Sequence, residues 1–415
     1  MKRIIPAFIL LILSALLYGC WDRREINDLG LIVGVAYDQA ELAGKTGVEL
    51  TLQVANPAVM ATGQGGTIGA GGTGGTTGAG PFWTISETGV TIREAISKMN
   101  YRVPKHLFFG HARVYVFGEK AVRGGITPFL DRWTRSPESR DNIFLAVSKG
   151  DASRILEQKS PVFQSTALAL NNIFLDKDGW QAIMAVNMAD FEYRLSTGIT
   201  SPLAPVVEVI PQASLTAEEI KAGISTTVAI TGLAAFDPDG RLVDYLDERE
   251  SMGLLWVINR ARNREMTIPH FVEGKEESIS LRQVNAKSKI AVSIGDDGLP
   301  VFEIETHAIF DVLEQFCIQR GLSDVSIIKN IEEMAGSQMI NEIEAAVKKS
   351  QQLNTDVFGF GEEFRRQYHR EWPQYKDHWR EIYPELNVII ECEAHVRDRE
   401  LSIEPPGSRT EGGGQ

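Results

Sequence analysis

Leu29-Gly30-Leu31-Ile32-Val33-Gly34-Val35-Ala36-Tyr37 reads as an apolar strand, and the elements that succeed it along the chain decide the fold. Residues Gly47 to Ala55 alternate as its partner, with polar Asp38 to Thr46, including Gly44, as a hairpin-type connection. Phe82 to Ser86 is strand-like. Thr91 to Met99 places Ile92, Ala95, Ile96 and Met99 on one helical face. A strand over Phe108 to Phe117, a helical stretch from Gly118 to Trp133 and a strand over Asn142 to Val147 continue the series. Asp151 is placed to N-cap a short helix reaching Gln158, and helical patterning returns over Leu168 to Leu175 and Ala182 to Leu195. This alternation of strand and helix makes residues 20–200 one α/β domain.

Ser201-Pro202-Leu203-Ala204-Pro205 marks a boundary. A middle α/β domain, residues 201–276, holds strands at Val206 to Ile210 and Val228 to Phe236, an Asp237-Pro238-Asp239-Gly240 turn and a helix over Glu248 to Asn259. The third domain, residues 277–402, opens with a long hairpin, Ile279 to Ile294 and Val301 to Phe310, around Asp296-Asp297-Gly298. Ile327, Ile331, Ala335, Met339, Ile343 and Val347 then recur every four residues. They form one apolar stripe on a helix from about Asp324 to Gln351, suited to packing on its own sheet. Glu385 to Val396 supplies a closing strand, and residues 403–415 read as a disordered tail. The fold class is mixed α/β (α+β): three domains, each a mixed sheet with packed helices, the last containing the long amphipathic helix.

The start of the chain carries a different signal. Lys2 and Arg3 precede an apolar run, Ile4 to Leu17, too short to be a comfortable membrane span. Leu17-Tyr18-Gly19-Cys20 reads as a lipobox, although Tyr18 is bulkier than usual. Residues 1–19 would be a signal peptide and Cys20 the new N-terminus, thioether-linked to a diacylglyceryl group. One acyl chain gives only marginal anchoring, and a diacylated cysteine supplies two.

The 415 residues carry a net charge of −13, and removing Lys2 and Arg3 makes the chain more acidic still. Such a surface repels phosphate backbones and anionic headgroups, which argues against nucleic acid as a partner and leaves anchoring to the lipid. Three cysteines are too few for a disulfide-stapled fold. With Cys20 acylated, Cys317 and Cys392 could pair, but two buried free thiols are the favoured reading. Residues 63–80 are almost wholly Gly, Thr and Ala, the composition of a flexible surface loop. Their G-x-G spacings arise trivially from glycine repetition, and the Lys-Ser/Thr ending of a phosphate-binding loop is missing.

No catalytic constellation stands out, and the sequence calls for no metal and no cofactor. G-x-S-x-G, H-E-x-x-H and C-x-x-C are absent, and histidines 106, 111, 270, 307, 369, 378 and 395 are scattered. His106 and His111 would fall on opposite faces of a strand start. Asp247-Glu248-Arg249-Glu250 could be mistaken for an acid/base pair, but acidic side chains at a helix start favour its dipole.

Three stretches carry a resemblance. Gly19-Cys20-Trp21-Asp22-Arg23-Arg24-Glu25-Ile26 resembles the G-C-W-[DS]-x-x-E-[IL] opening of the Ger(x)C family, lipoprotein C-subunits of nutrient germinant receptors in spore-forming bacteria. Asp247 to Trp256 is similar to that family's C-terminal half. So is Asp356-Val357-Phe358-Gly359-Phe360-Gly361, followed by Trp372, Trp379 and Pro384. The Gly-rich stretch 63–80 departs from the family's pattern. The resemblance implies a three-domain mixed α/β lipoprotein on the outer face of the cytoplasmic membrane, in the spore inner membrane. Its partners would be membrane-embedded A- and B-type receptor subunits. It implies no catalytic residues, and only the lipid-bearing Cys20 carries over. Gly359 and Gly361 fit a tight turn where Phe358 and Phe360 pack against Trp372 or Trp379, a structural role. The competing classes are a solute-binding lipoprotein, which calls for two similar lobes, and a cell-wall hydrolase, which calls for paired carboxylates or a metal motif.

Overall fold

The computed structural model describes residues 28–55, 81–158, 165–176, 184–212, 226–272, 275–315 and 325–398. Cys20, the Gly-rich stretch 63–80, Cys317, Asp324, where the long helix is expected to start, and the tail 403–415 lie outside them.

The first sheet has nine strands. β1 (Leu29–Leu42), β2 (Lys45–Ala55) and β3 (Phe82–Gly89) form an antiparallel meander. The hairpin connection is shorter than its polarity suggests, because Asp38 to Leu42 stays paired with Lys45 to Glu49 and only Ala43 and Gly44 turn the corner. On its other side β1 pairs in parallel with β4 (His106–Phe108) and β5 (Val114–Gly118), and β6 (Phe144–Ser148) and β7 (Leu203–Pro211) extend the parallel centre. The strand expected over Phe108 to Phe117 is therefore two pieces, broken by a turn in which the Ala112 N–H meets the Phe109 carbonyl at 2.9 Å. His106 sits on the first piece and His111 in the turn, so no single strand carries both.

Helices cover both faces, as a parallel centre requires. Tyr37, Tyr115, Phe117, Leu145 and Val147 point to one side, covered by α1 (Ile92–Asn100), α2 (Glu119–Arg123) and α3 (Thr127–Thr134). Ala36, Val114, Val116 and Ala146 point to the other, beneath α4 (Ser153–Glu157) and α5 (Thr166–Leu175). Thr91 caps α1, its hydroxyl accepting the Glu94 N–H at 3.2 Å. Asp151, expected to cap α4, does not. The buried Asp38 carboxylate of β1 accepts the Ala152 and Ser153 N–H groups at 2.6 and 2.8 Å and fills that role from across the sheet.

After α6 (Met188–Thr197), strands β7, β8 (Thr226–Phe236) and β9 (Leu242–Leu246) lengthen the same sheet rather than building one of their own. α7 (Glu248–Val257) leads into β10 (Glu265–Val272), which starts the second sheet, so residues 201–276 are shared between the two sheets. The second sheet runs β10, β11 (Lys275–Ile294), β12 (Pro300–Gln315) and β13 (Asn387–Asp398), with β13 parallel to β12. Along β12, buried Phe302, Ile304, Thr306 and Ala308 alternate with exposed Glu303, Glu305 and His307, leaving one face wet. α8 (Val325–Leu353) lies on the dry face, its Ile331, Ala335, Met339 and Ile343 fully buried against β13 and α7. The apolar side chains of this layer are contiguous with those on the α1–α3 side of the first sheet.

Candidate functional site

Two family-like stretches turn out to build the joints that hold the architecture. Asp247 N-caps α7 in a full capping box: its carboxylate accepts the Glu250 N–H at 2.8 Å, and Glu250 accepts the Asp247 N–H at 2.9 Å. The acidic cluster is a helix start, as its position suggests. Further along α7, Gly253 lies directly on α8, where a Cβ would stand 1.9 Å from the Glu342 carbonyl oxygen. That approach brings the Trp256 indole N–H to the buried Glu342 carboxylate at 2.7 Å, with Arg264 on its other oxygen at 3.3 Å. Arg249 donates to the Asn341 carbonyl at 3.0 Å. A cavity of about 530 Å³ opens here among Asp247, Glu248, Arg264 and Glu342, where Arg264 already pairs with both Glu248 and Glu342.

The second joint is centred on Asp356, which is 4% exposed. Its carboxylate accepts N–H groups from Gly359 (2.8 Å), Phe360 (2.9 Å) and Gly361 (2.7 Å), and the Trp379 indole N–H at 3.2 Å. Gly359, at φ +80, makes the left-handed turn that aims these N–H groups inward ahead of α9 (Phe360–Gln367). The Asp356 carbonyl accepts the Ser201 N–H at 2.8 Å, and Arg194 of α6 donates to the carbonyls of Ser201 and Val357 at 3.3 and 3.4 Å. The Pro-bearing strip expected as a domain boundary is thus clamped to the segment after α8. Aromatic rings fill the space behind: Phe360 stacks on Phe302 at 4.6 Å and on Phe358 at 5.1 Å, while Trp379 stacks on Phe364 at 6.2 Å. Phe360 reaches Trp379 through Phe302 and Tyr383 rather than by direct stacking.

Burial pushes the Asp356 carboxyl from 3.8 up to about 6, against the pull of its four donors. A raised carboxyl binds its proton more tightly in the folded chain. Its contribution to stability is complete below about pH 4 and is lost as pH rises through about 6. The gap in urea midpoint between the native chain and Asp356→Asn, which cannot titrate there, should therefore narrow from about pH 4 to about pH 7. A pH-independent gap would rule this out.

The remaining polar chemistry is dispersed. His307 meets Glu393 at 2.9 Å and His378 meets Glu381 at 3.1 Å, both on the surface. Among the described residues no group of three or more His, Cys, Asp or Glu side chains could hold a metal ion. Cys392 is a free thiol whose ionisation burial pushes up to about 12, which makes it a poor nucleophile at neutral pH. Sequence reasoning missed Asp38 and Glu342, whose partners lie far along the chain. Asp356 was legible only through the family-like motif around it. Among the described residues no helix is long and apolar enough to cross a membrane.

A family described as "Spore germination protein N-terminal domain" matches residues 22–209, and one described as "Spore germination B3/GerAC like, C-terminal" matches residues 231–400. The chain belongs to the Ger(x)C family of spore germination proteins. Among its relatives, spore germination protein KC of Bacillus subtilis (strain 168) is 27% identical over 97% of this chain and 98% of its own. The putative spore germination protein YfkR of the same organism is 28% identical over 94% and 95%. Spore germination protein GerQC of Bacillus cereus is 22% identical over 95% and 98%. The crystal structure of the GerBC protein shares the fold, with a TM-score of 0.55 at 18% identity over 87% of this chain and 97% of that one. Both family-like joints, around Gly253 and around Asp356, lie within the C-terminal Ger(x)C match or bridge it to the N-terminal one.

Proposed function

We propose that this chain is a lipid-anchored, non-catalytic subunit of a nutrient germinant receptor, required for receptor assembly and for the germination response. The observation that carries the reading is the pair of family matches, which together run almost from Cys20 to the last described strand. The lipobox supports the anchor, with diacylated Cys20 holding the chain on the outer face of the cytoplasmic membrane, in the spore inner membrane. Its partners are membrane-embedded A- and B-type subunits. A tether confines the folded part within tens of ångströms of the bilayer, so that individually weak contacts with membrane partners suffice. Two sheets of unlike size and order, clamped at Asp356, offer no hinge between similar lobes and so do not favour a solute-binding lipoprotein.

Deleting the protein should stop germination through one nutrient receptor and lower the level of its partner subunits, while other receptors still respond. Unchanged germination with every nutrient would end the reading. Cys20→Ala should leave the chain as an uncleaved precursor or release it from the membrane fraction. A Cys20→Ala chain that is processed and stays membrane-bound without its partners would exclude the lipid anchor.

A further inference from the structure

In this acidic chain, three arginines gather around one cleft on the α1–α3 face of the first sheet, two of them without an acidic partner among the described residues. A cavity of about 530 Å³ lies between the β1–β2 hairpin and helices α1, α2 and α3. Its apolar wall is Val48, Ile92, Ala121, Pro128 and Phe129. A second cavity of about 470 Å³ lies beside it, and Arg93, Arg132 and Arg135 belong to the lining of both. In the first, Asp131 is the one carboxylate against three guanidiniums, and it is paired with Arg135 at 2.9 Å. Among the described residues Arg93 and Arg132 have no carboxylate and no hydrogen-bond acceptor. Arg132 rests on the Trp133 ring at 5.0 Å, and its Nε is buried without an acceptor.

An aromatic core lies behind Arg132. The buried Tyr37 hydroxyl faces the Trp133 indole, and the buried Tyr115 hydroxyl faces Ser139. Their rings pack on one another and on Phe129, which lines the cleft. A buried guanidinium nitrogen without an acceptor, as at Arg132 Nε, is rare in a folded protein and calls for a cause. An acidic group seated in this ligand-sized cavity beside the apolar wall supplies one.

We propose that this cleft binds a small organic anion with an apolar body. Its acidic group sits on the guanidiniums of Arg132 and Arg93, and its body lies against Val48, Ile92, Ala121 and Phe129. The inference rests on this geometry alone and stands or falls separately from the receptor reading.

Hydrocinnamate, its neutral amide and acetate are suitable probes, titrated calorimetrically into the full-length chain in a non-ionic detergent. Hydrocinnamate should saturate one site. The amide, lacking the charge, and acetate, lacking the body, should each bind at least about tenfold more weakly. Arg132→Met, which keeps the stem on Trp133, should weaken hydrocinnamate by about tenfold or more with an unchanged circular dichroism spectrum. Gly124→Phe supplies a steric arm that leaves every charge in place. Gly124 lines the cleft at φ −74, and a Cβ there meets nothing closer than 3.4 Å. It should abolish saturation, and it decides the matter alone if Arg132→Met does not fold. Equal affinity for acid and amide, no saturable heat, or native affinity in Gly124→Phe would each overturn the proposal.

Discussion

Asp356→Ala is expected to lower the free energy of unfolding by about 4 kcal/mol, the range found when one member of a buried charge network is removed. The substitution strands three backbone N–H groups and the Trp379 indole, none of which can turn to water. It also leaves the largely buried Arg194 without the carboxylate whose charge favours its ionised state. Asp356→Asn should cost about half as much, because its amide oxygen still accepts two of the four donors. Asp377→Ala, at an exposed carboxylate in the same aromatic-rich segment, should stay within about 0.5 kcal/mol of the native chain. Urea midpoints of the three variants provide the measurement. An Asp356→Ala chain within about 1 kcal/mol of native would show that the joint does not hold the sheets together.

Gly253→Val is expected to prevent folding, and even Gly253→Ala should cost about 3 kcal/mol or more. The atoms in the way are the Glu342 carbonyl oxygen at 1.9 Å, its carbon at 2.4 Å and the Ile343 nitrogen at 2.8 Å. All three are backbone, so relief requires α7 and α8 to part. Parting them weakens the Trp256–Glu342 and Arg249–Asn341 hydrogen bonds together. The gain of about 1 kcal/mol in helix propensity from glycine to alanine cannot offset this. Gly124→Ala, whose Cβ would make only ordinary contact at 3.4 Å and which sits at φ −74, should be nearly neutral. Soluble yield and urea midpoint separate the cases, and a Gly253→Ala chain as stable as the native one would refute the backbone contact.

Much of the secondary structure could be read from one-dimensional pattern. The four-residue recurrence from Ile327 to Val347 gives α8 and its buried stripe, because a helix turned toward a core records its period in its own residues. The helix start at Asp247 to Glu250 is legible for the same reason, since its acidic residues lie within one turn, although the capping box they form appears only in the structure. The proposed lipid attachment at Cys20 is equally local to the sequence, while the cleft at Arg132 was not legible at all. Arg93 and Arg132 come from two helices, and their lack of an acidic partner among the described residues becomes visible only when the carboxylates have been placed in space.

The sequence by itself determined many of the strands and helices, the mixed α/β class and the family, because each of these rests on residues close together in the chain. It missed β9 and β10 and ran β4 and β5 into one strand. Tertiary structure alone decided that β7 to β9 extend the first sheet across the Pro-bearing strip, which a break in composition cannot reveal. It also decided that Asp38, in a stretch polar enough to read as a turn, is a buried cap for α4, 114 residues away. Periodicity states which face of an element is buried. It does not state what that face is buried against, since the hydrophobic effect is non-directional and the partners that make it specific are set only when the chain has closed on itself.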